Sequence, residues 1–226
     1  MTPHDLVRER TVLSVVVGSR AFGLDVDGSD TDVRSVFLAP TASLWSLTKP
    51  PTHVDGPEPE RFSWELERFC ELALRTNPNL VEVLHSPLVQ QTTPIGRELL
   101  AHRSAFLSRH AHGTYSGYVR RQFEKMASDA RGDGVRWKRV MHLLRLLLSG
   151  ESLLRTGVPM VDVGEHRDLL LAVRRGEVAF EDVERLRLRL HAQMDAALPD
   201  SPLPEQTDHS RVDAWLVDVR RRDLDA

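Results

Sequence analysis

Asp30 and Asp32 stand two apart in the stretch DTDVRSVFLAP, whose alternation predicts a strand ended by Pro40. Strand residues two apart share a face, so these carboxylates point the same way. Side by side they repel, and in an empty site one pKa rises. A divalent cation removes that penalty. Mg²⁺ is usually held by one or two carboxylates plus substrate phosphates. Two such ions activate an attacking oxygen and stabilise a leaving one in an in-line displacement. Arg34 continues the same face, placed to meet a phosphate or to pair with an acid.

Gly18 and Ser19 come earlier, directly after the β-branched run TVLSVVV. A glycine lets a phosphate approach the backbone closely. A helix starting there would offer free N–H groups to that phosphate. The Ser19 hydroxyl adds a donor and Arg20 a charge. Each motif has an ordinary explanation when taken alone. Asp-x-Asp is often a solvated strand end, and Gly-Ser is a common turn. The combination is more specific: strand, Gly-Ser, ten intervening residues, then an Asp-x-Asp pair opening a second strand.

That combination closely resembles the DNA polymerase beta-like nucleotidyltransferase superfamily. The fuller string GSRAFGL…GSDTDVRSVFL is similar, more narrowly, to a bacterial and phage family of nucleotidyltransferases associated with RNA repair pathways. So are NPNLVEVLHSP at 77–87, TYSGYVRRQFEK at 114–125, RVMHLLRLLLSGESLLRTG at 139–157, LLAVRRGE at 170–177 and SPLPEQTD at 201–208. The resemblance implies an α/β (α+β) fold, with a small mixed sheet of the polymerase beta-like type and a mostly helical C-terminal region. It also implies Mg²⁺ or Mn²⁺ as cofactor and a nucleoside triphosphate as substrate. A third carboxylate on a later strand would complete the metal site and act as base. Glu58, Glu60, Glu65 and Glu67 are the local candidates, and Glu60 is the best match, where family members usually carry Asp. The ordinary alternative is a solvated acid at a strand end.

The second half of the chain holds further candidates. Lys138, His142 and Arg145 lie at steps of four and three, on one helix face. With Gly18, Ser19, Arg20 and Arg34 they form the expected triphosphate-binding set; the competing reading is a solvated helix face. Val140, Leu143, Leu144 and Leu147 face the core. Tyr115, Tyr118, Arg120, Arg121 and Lys125 form a candidate substrate-contact surface, tyrosine for stacking a base and the charges for phosphates. The two tyrosines fit a core role equally well. Glu82 either orients a substrate or pairs locally.

These residues need a frame. Val12 to Val17 reads as a buried strand, 30–39 as a second and RFSWEL as a third. Residues 48–60, rich in Pro and Gly, read as a connection. Helical spacing predicts helices at 5–10, 67–76, 80–85, 96–110, 114–129, 137–149, 165–175, 178–197 and 209–220, with a break at Gly132 and Gly134. The expected division is a catalytic core over 1–90 and a helical region over 91–226 packed against it.

Composition sets outer bounds. The 226 residues carry 30 Lys and Arg against 33 Asp and Glu, a net charge of -3, which gives no evidence of a large nucleic-acid footprint. The lone Cys70 allows no internal disulfide. No apolar run is long enough to span a bilayer, so a cytoplasmic protein without a membrane partner is expected. The histidines show no zinc spacing. The expected reaction transfers a nucleoside monophosphate from a triphosphate to a hydroxyl, on an RNA end. Two rivals are nucleotidylation of a protein or small molecule, and a degenerate module that binds nucleotide or RNA.

Overall fold

A computed structural model describes residues 2–129 and 136–225, without the side chains of 126–129. The break expected at Gly132 and Gly134 therefore lies outside the described residues. Contacts group the chain into two units: residues 1–21, 26–106 and 207–226 form the first, and residues 22–25 and 107–206 the second.

The first unit is built on a five-stranded mixed sheet. Helix α1 (Pro3–Arg10) starts at a capping box, with Thr2 and Asp5 satisfying each other's backbone N–H groups. It leads into β1 (Thr11–Val17), buried at every position, as a central strand rich in valine must be. One turn of helix, α2 (Gly18–Ala21), follows. Next come β2 (Asp32–Phe37), β3 (His53–Asp55) and β4 (Arg61–Glu65). Helices α3 (Leu66–Ala73) and α4 (Pro78–His85), strand β5 (Val89–Thr92) and helix α5 (Pro94–Ala101) complete the segment up to residue 101. The strand order is β3-β4-β2-β1-β5. Strand β2 runs antiparallel to β1 and parallel to β4.

Two of these strands differ from the sequence-based expectation. Strand β3 lies within the Pro- and Gly-rich connection, where three residues pair with β4. Strand β5 follows Pro87 and is too short and too polar to show a period. The helix expected over 96–110 stops at Ala101, and a 3-10 turn covers Arg103–Phe106.

The second unit is helical: α6 (Ala111–Asp129), α7 (Trp137–Thr156), α8 (Arg167–Arg175) and α9 (Phe180–Ala197). Helix α7 packs against α6, α8 and α9, which buries it nearly all round. The last helix, α10 (His209–Leu224), groups with the sheet. Specific polar contacts hold it there. Arg220 pairs with Glu65 at 2.8 Å, Asp223 pairs with Arg10 and accepts from the Thr41 N–H, and Trp215 donates to Glu98 at 2.9 Å. The stretch after residue 90 that reads as one helical region is thus shared between the two units. Among the described residues, no helix is long and apolar enough to cross a membrane.

Candidate active site

Strand β1 delivers Gly18 and β2 begins at Asp32, and the register Val17↔Asp32 sets them beside each other. Gly18 has φ +71°, and a Cβ there would lie 2.4 Å from the Asp32 Oδ2. Both the backbone angle and the carboxylate demand glycine. Ser19 sits in the α2 turn and its hydroxyl has no partner among the described residues. Asp30 is exposed, and its carboxylate has no hydrogen bond or ion pair among the described residues. Asp32 is half-exposed, with the Arg34 Nη2 at 3.6 Å.

Arg20 and Arg34 are engaged with backbone. Arg20 donates to the Ser29 carbonyl at 2.9 Å, bracing the turn before Asp30. Arg34 Nη1 donates to the carbonyls of Val33 and Glu60, at 2.9 and 2.8 Å. The Glu60 carbonyl also accepts from the Val33 N–H at 2.9 Å. With Val33 opposite Arg61 in the parallel pairing, Glu60 lies alongside Asp32.

The four candidate acids have separate fates. Glu58 pairs with Arg61 at 2.8 Å. Glu65 is buried; it caps α3 by accepting the Glu67 N–H at 2.7 Å and holds Arg220. Glu67 lies 3.7 Å from the same arginine. The Glu60 side chain alone has no partner among the described residues. No group of three or more His, Cys, Asp and Glu side chains is placed to hold a metal ion among the described residues.

In the helical unit the basic stripe expected on α7 divides. Lys138 and His142 reach the surface, but Arg145 is only 1% exposed. The reason is tertiary: α7 is central, so a step of three that would share an exposed face on a peripheral helix points inward here. The Arg145 guanidinium lies 3.6 Å above the Phe22 ring, a cation–π contact strengthened by burial. His142 packs beside the same ring, at 5.8 Å between centroids. Although one edge is exposed, desolvation and then the charges of Arg145 and Lys138 push its pKa down to about 4. Near pH 7 it is neutral and brings no charge to a phosphate.

Tyr115 is fully buried, where α6 and α7 approach so closely that a Cβ on Gly150 would sit 3.0 Å from it. It is therefore a packing residue, not a stacking platform. Tyr118, Arg120, Arg121 and Lys125 are exposed on α6. Glu82 is buried in α4 among Leu80, Val81, Val83 and Leu84.

Sequence reasoning missed the segment Phe22–Asp25, which belongs to the helical unit. Leu24 is completely buried. Arg167 donates to the carbonyls of Gly23 and Asp25, at 2.8 and 3.2 Å, and Arg174 to that of Leu24 at 3.3 Å. The Val163 N–H donates to the Phe22 carbonyl at 3.0 Å. The available signal was two large apolar residues, Phe22 and Leu24, inside what reads as a polar loop.

No curated protein matches the chain. One protein family does: RlaP, the RNA repair pathway DNA polymerase beta family, over residues 4–218. With a mixed sheet, the Gly18-Ser19 turn against Asp32 and a match across nearly its whole length, the chain belongs to this family of nucleotidyltransferase type.

Proposed function

We propose that the protein transfers a nucleoside monophosphate from a nucleoside triphosphate to the terminal hydroxyl of an RNA, in a divalent-metal-dependent reaction. The observation that carries this reading is the Asp32 carboxylate set against the Gly18 turn, with the exposed Asp30 two residues before it. Hard, partly exposed carboxylates suit Mg²⁺ or Mn²⁺, and Mg²⁺ takes one or two of them with substrate phosphates completing its shell. Asp30 and Asp32 would hold the ions, with Glu60 as the further donor. Bound ions supply activation of the attacking hydroxyl and stabilisation of charge on the leaving oxygens.

The chain's own residues do the rest. The Gly18-Ser19 turn receives the phosphates beyond the α-phosphate, because glycine leaves the backbone open and Ser19 offers a free hydroxyl. The bond from the acceptor oxygen to the α-phosphorus forms as the bond to pyrophosphate breaks. The acceptor proton passes to the Glu60 carboxylate. Exposed Tyr118, Arg120, Arg121 and Lys125 support an RNA acceptor, since backbone phosphates can be held without reading bases.

Labelled triphosphate incubated with the protein, RNA and candidate protein acceptors tests this directly. Label should appear on RNA with Mg²⁺ or Mn²⁺ and vanish with excess chelator. Label on a protein with none on RNA would replace the acceptor. RNA affinity should also fall steeply as salt rises.

A further inference from the structure

The opposite face of the sheet carries a feature that the transfer reaction does not use. Side chains alternate along a strand, so Ser35 on β2 faces away from Asp32 and Arg34. Ser14 of β1 lies opposite Ser35, and Ser35 lies opposite Ser63 of β4. The three serines make a row across three adjacent strands. Each is more than nine-tenths buried. Leu6, Phe37 and Val54 make an apolar cluster on this same face, so hydroxyls are not its general rule. The row lines a recess of about 340 Å³ walled by α1 and by the segment before β4.

The row is not internally satisfied. Ser35 donates to Ser14 at 3.0 Å, which leaves the Ser14 proton unused. The Ser63 hydroxyl has no hydrogen bond among the described residues, although its residue is only 3% exposed. Its oxygen is not sealed off as the partnerless Thr41 and Ser149 hydroxyls are; it opens into the recess, where solvent or a ligand meets it. Of the other polar lining residues, Arg8, Arg61 and Gln91 have donors to spare, beside one carboxylate, Glu58. Arg61 uses only its Nε on Glu58, and Arg8 uses only its Nη2 on acids of α1. Gln91 adds an exposed amide.

Hydroxyl donors at the bottom and guanidinium groups in the walls match a phosphoryl group carried on a polar body. The volume exceeds what inorganic phosphate fills and falls in the range of small-molecule sites. We propose that this recess binds a small phosphomonoester, a sugar phosphate or a nucleoside monophosphate, on the face of the sheet turned away from Asp32.

Calorimetric titration of the full chain tests this, with chelator present and with AMP, ribose 5-phosphate and inorganic phosphate as probes. At least one monoester should bind saturably at one site, and about tenfold tighter than inorganic phosphate. Which monoester binds tighter identifies the body attached to the phosphoryl group. Ser63→Val, which fills the recess, and Arg61→Gln, at an exposed position tolerant of change, should each weaken that binding about tenfold, the loss of one good polar contact. Asp32→Asn should leave it unchanged. No saturable binding, equal affinity for inorganic phosphate, or loss on Asp32→Asn with retention in Arg61→Gln would each overturn the proposal.

Discussion

The loop between Ser19 and Asp30 has two halves of opposite character. Phe22 to Asp25 are pinned: Leu24 is buried completely, Phe22 lies under Arg145, and three consecutive carbonyls accept from Arg167 and Arg174. Val26, Asp27, Gly28, Asp30 and Thr31 are exposed, steadied mainly by the Val26–Ser29 turn and the Arg20 brace. One half invests its residues in packing and the other leaves carboxylates available. Substitutions should therefore act on stability in the first half and on turnover in the second.

The largest expected effect lies in the exposed half. Asp30→Asn and Asp32→Asn should each lower transfer by at least about 10²–10³-fold, the scale for losing a charge-stabilising group. The unfolding midpoint should shift little, because Asp30 has no hydrogen bond or ion pair among the described residues and Asp32 has only a half-exposed ion pair with Arg34 at 3.6 Å. A cooperative loss of fold with either variant would erase the distinction. Next comes Glu60→Gln, which should lower the rate well beyond Glu58→Gln, while Glu60→Asp retains activity. A profile in which Glu58 and Glu60 matter equally would move the third donor elsewhere.

The pinned half is read by denaturant melts. Leu24→Ala should cost about 2–5 kcal/mol, as for other fully buried leucines. Arg167→Gln should cost less, about 1–3 kcal/mol, for carbonyls left without their charged donor. Stability unchanged in both would mean that this segment is not held as its contacts imply.

The smallest effect is one of pH. His142 beside Phe22 titrates near pH 4 in the folded chain, below the ordinary 6.5. A folded-state pKa depressed in this way favours the neutral ring, so the stabilisation is complete above 6.5 and is lost as pH falls toward 4. His142→Gln should flatten the stability profile between those limits. An unaltered slope would assign it to another group, such as His85, which burial also lowers to about 4.

Much of this protein was legible in the linear chain, because the relevant signals are local. A valine-rich run is a central strand wherever it lies, and Gly18, Ser19, Asp30 and Asp32 are tied by one strand pairing. Periodicity located the long helices, since burying one face of a helix imposes the same spacing everywhere. Tertiary packing alone decided which polar residues remain available. Arg145 and Lys138 share a helix and a spacing, yet one is buried against Phe22 and the other exposed, because α7 packs against three helices. Glu65 and Glu60 are five residues apart, yet Arg220, distant in sequence, engages the first, while the second has no partner among the described residues. Burial and partner choice depend on residues far apart along the chain, and no local pattern records them.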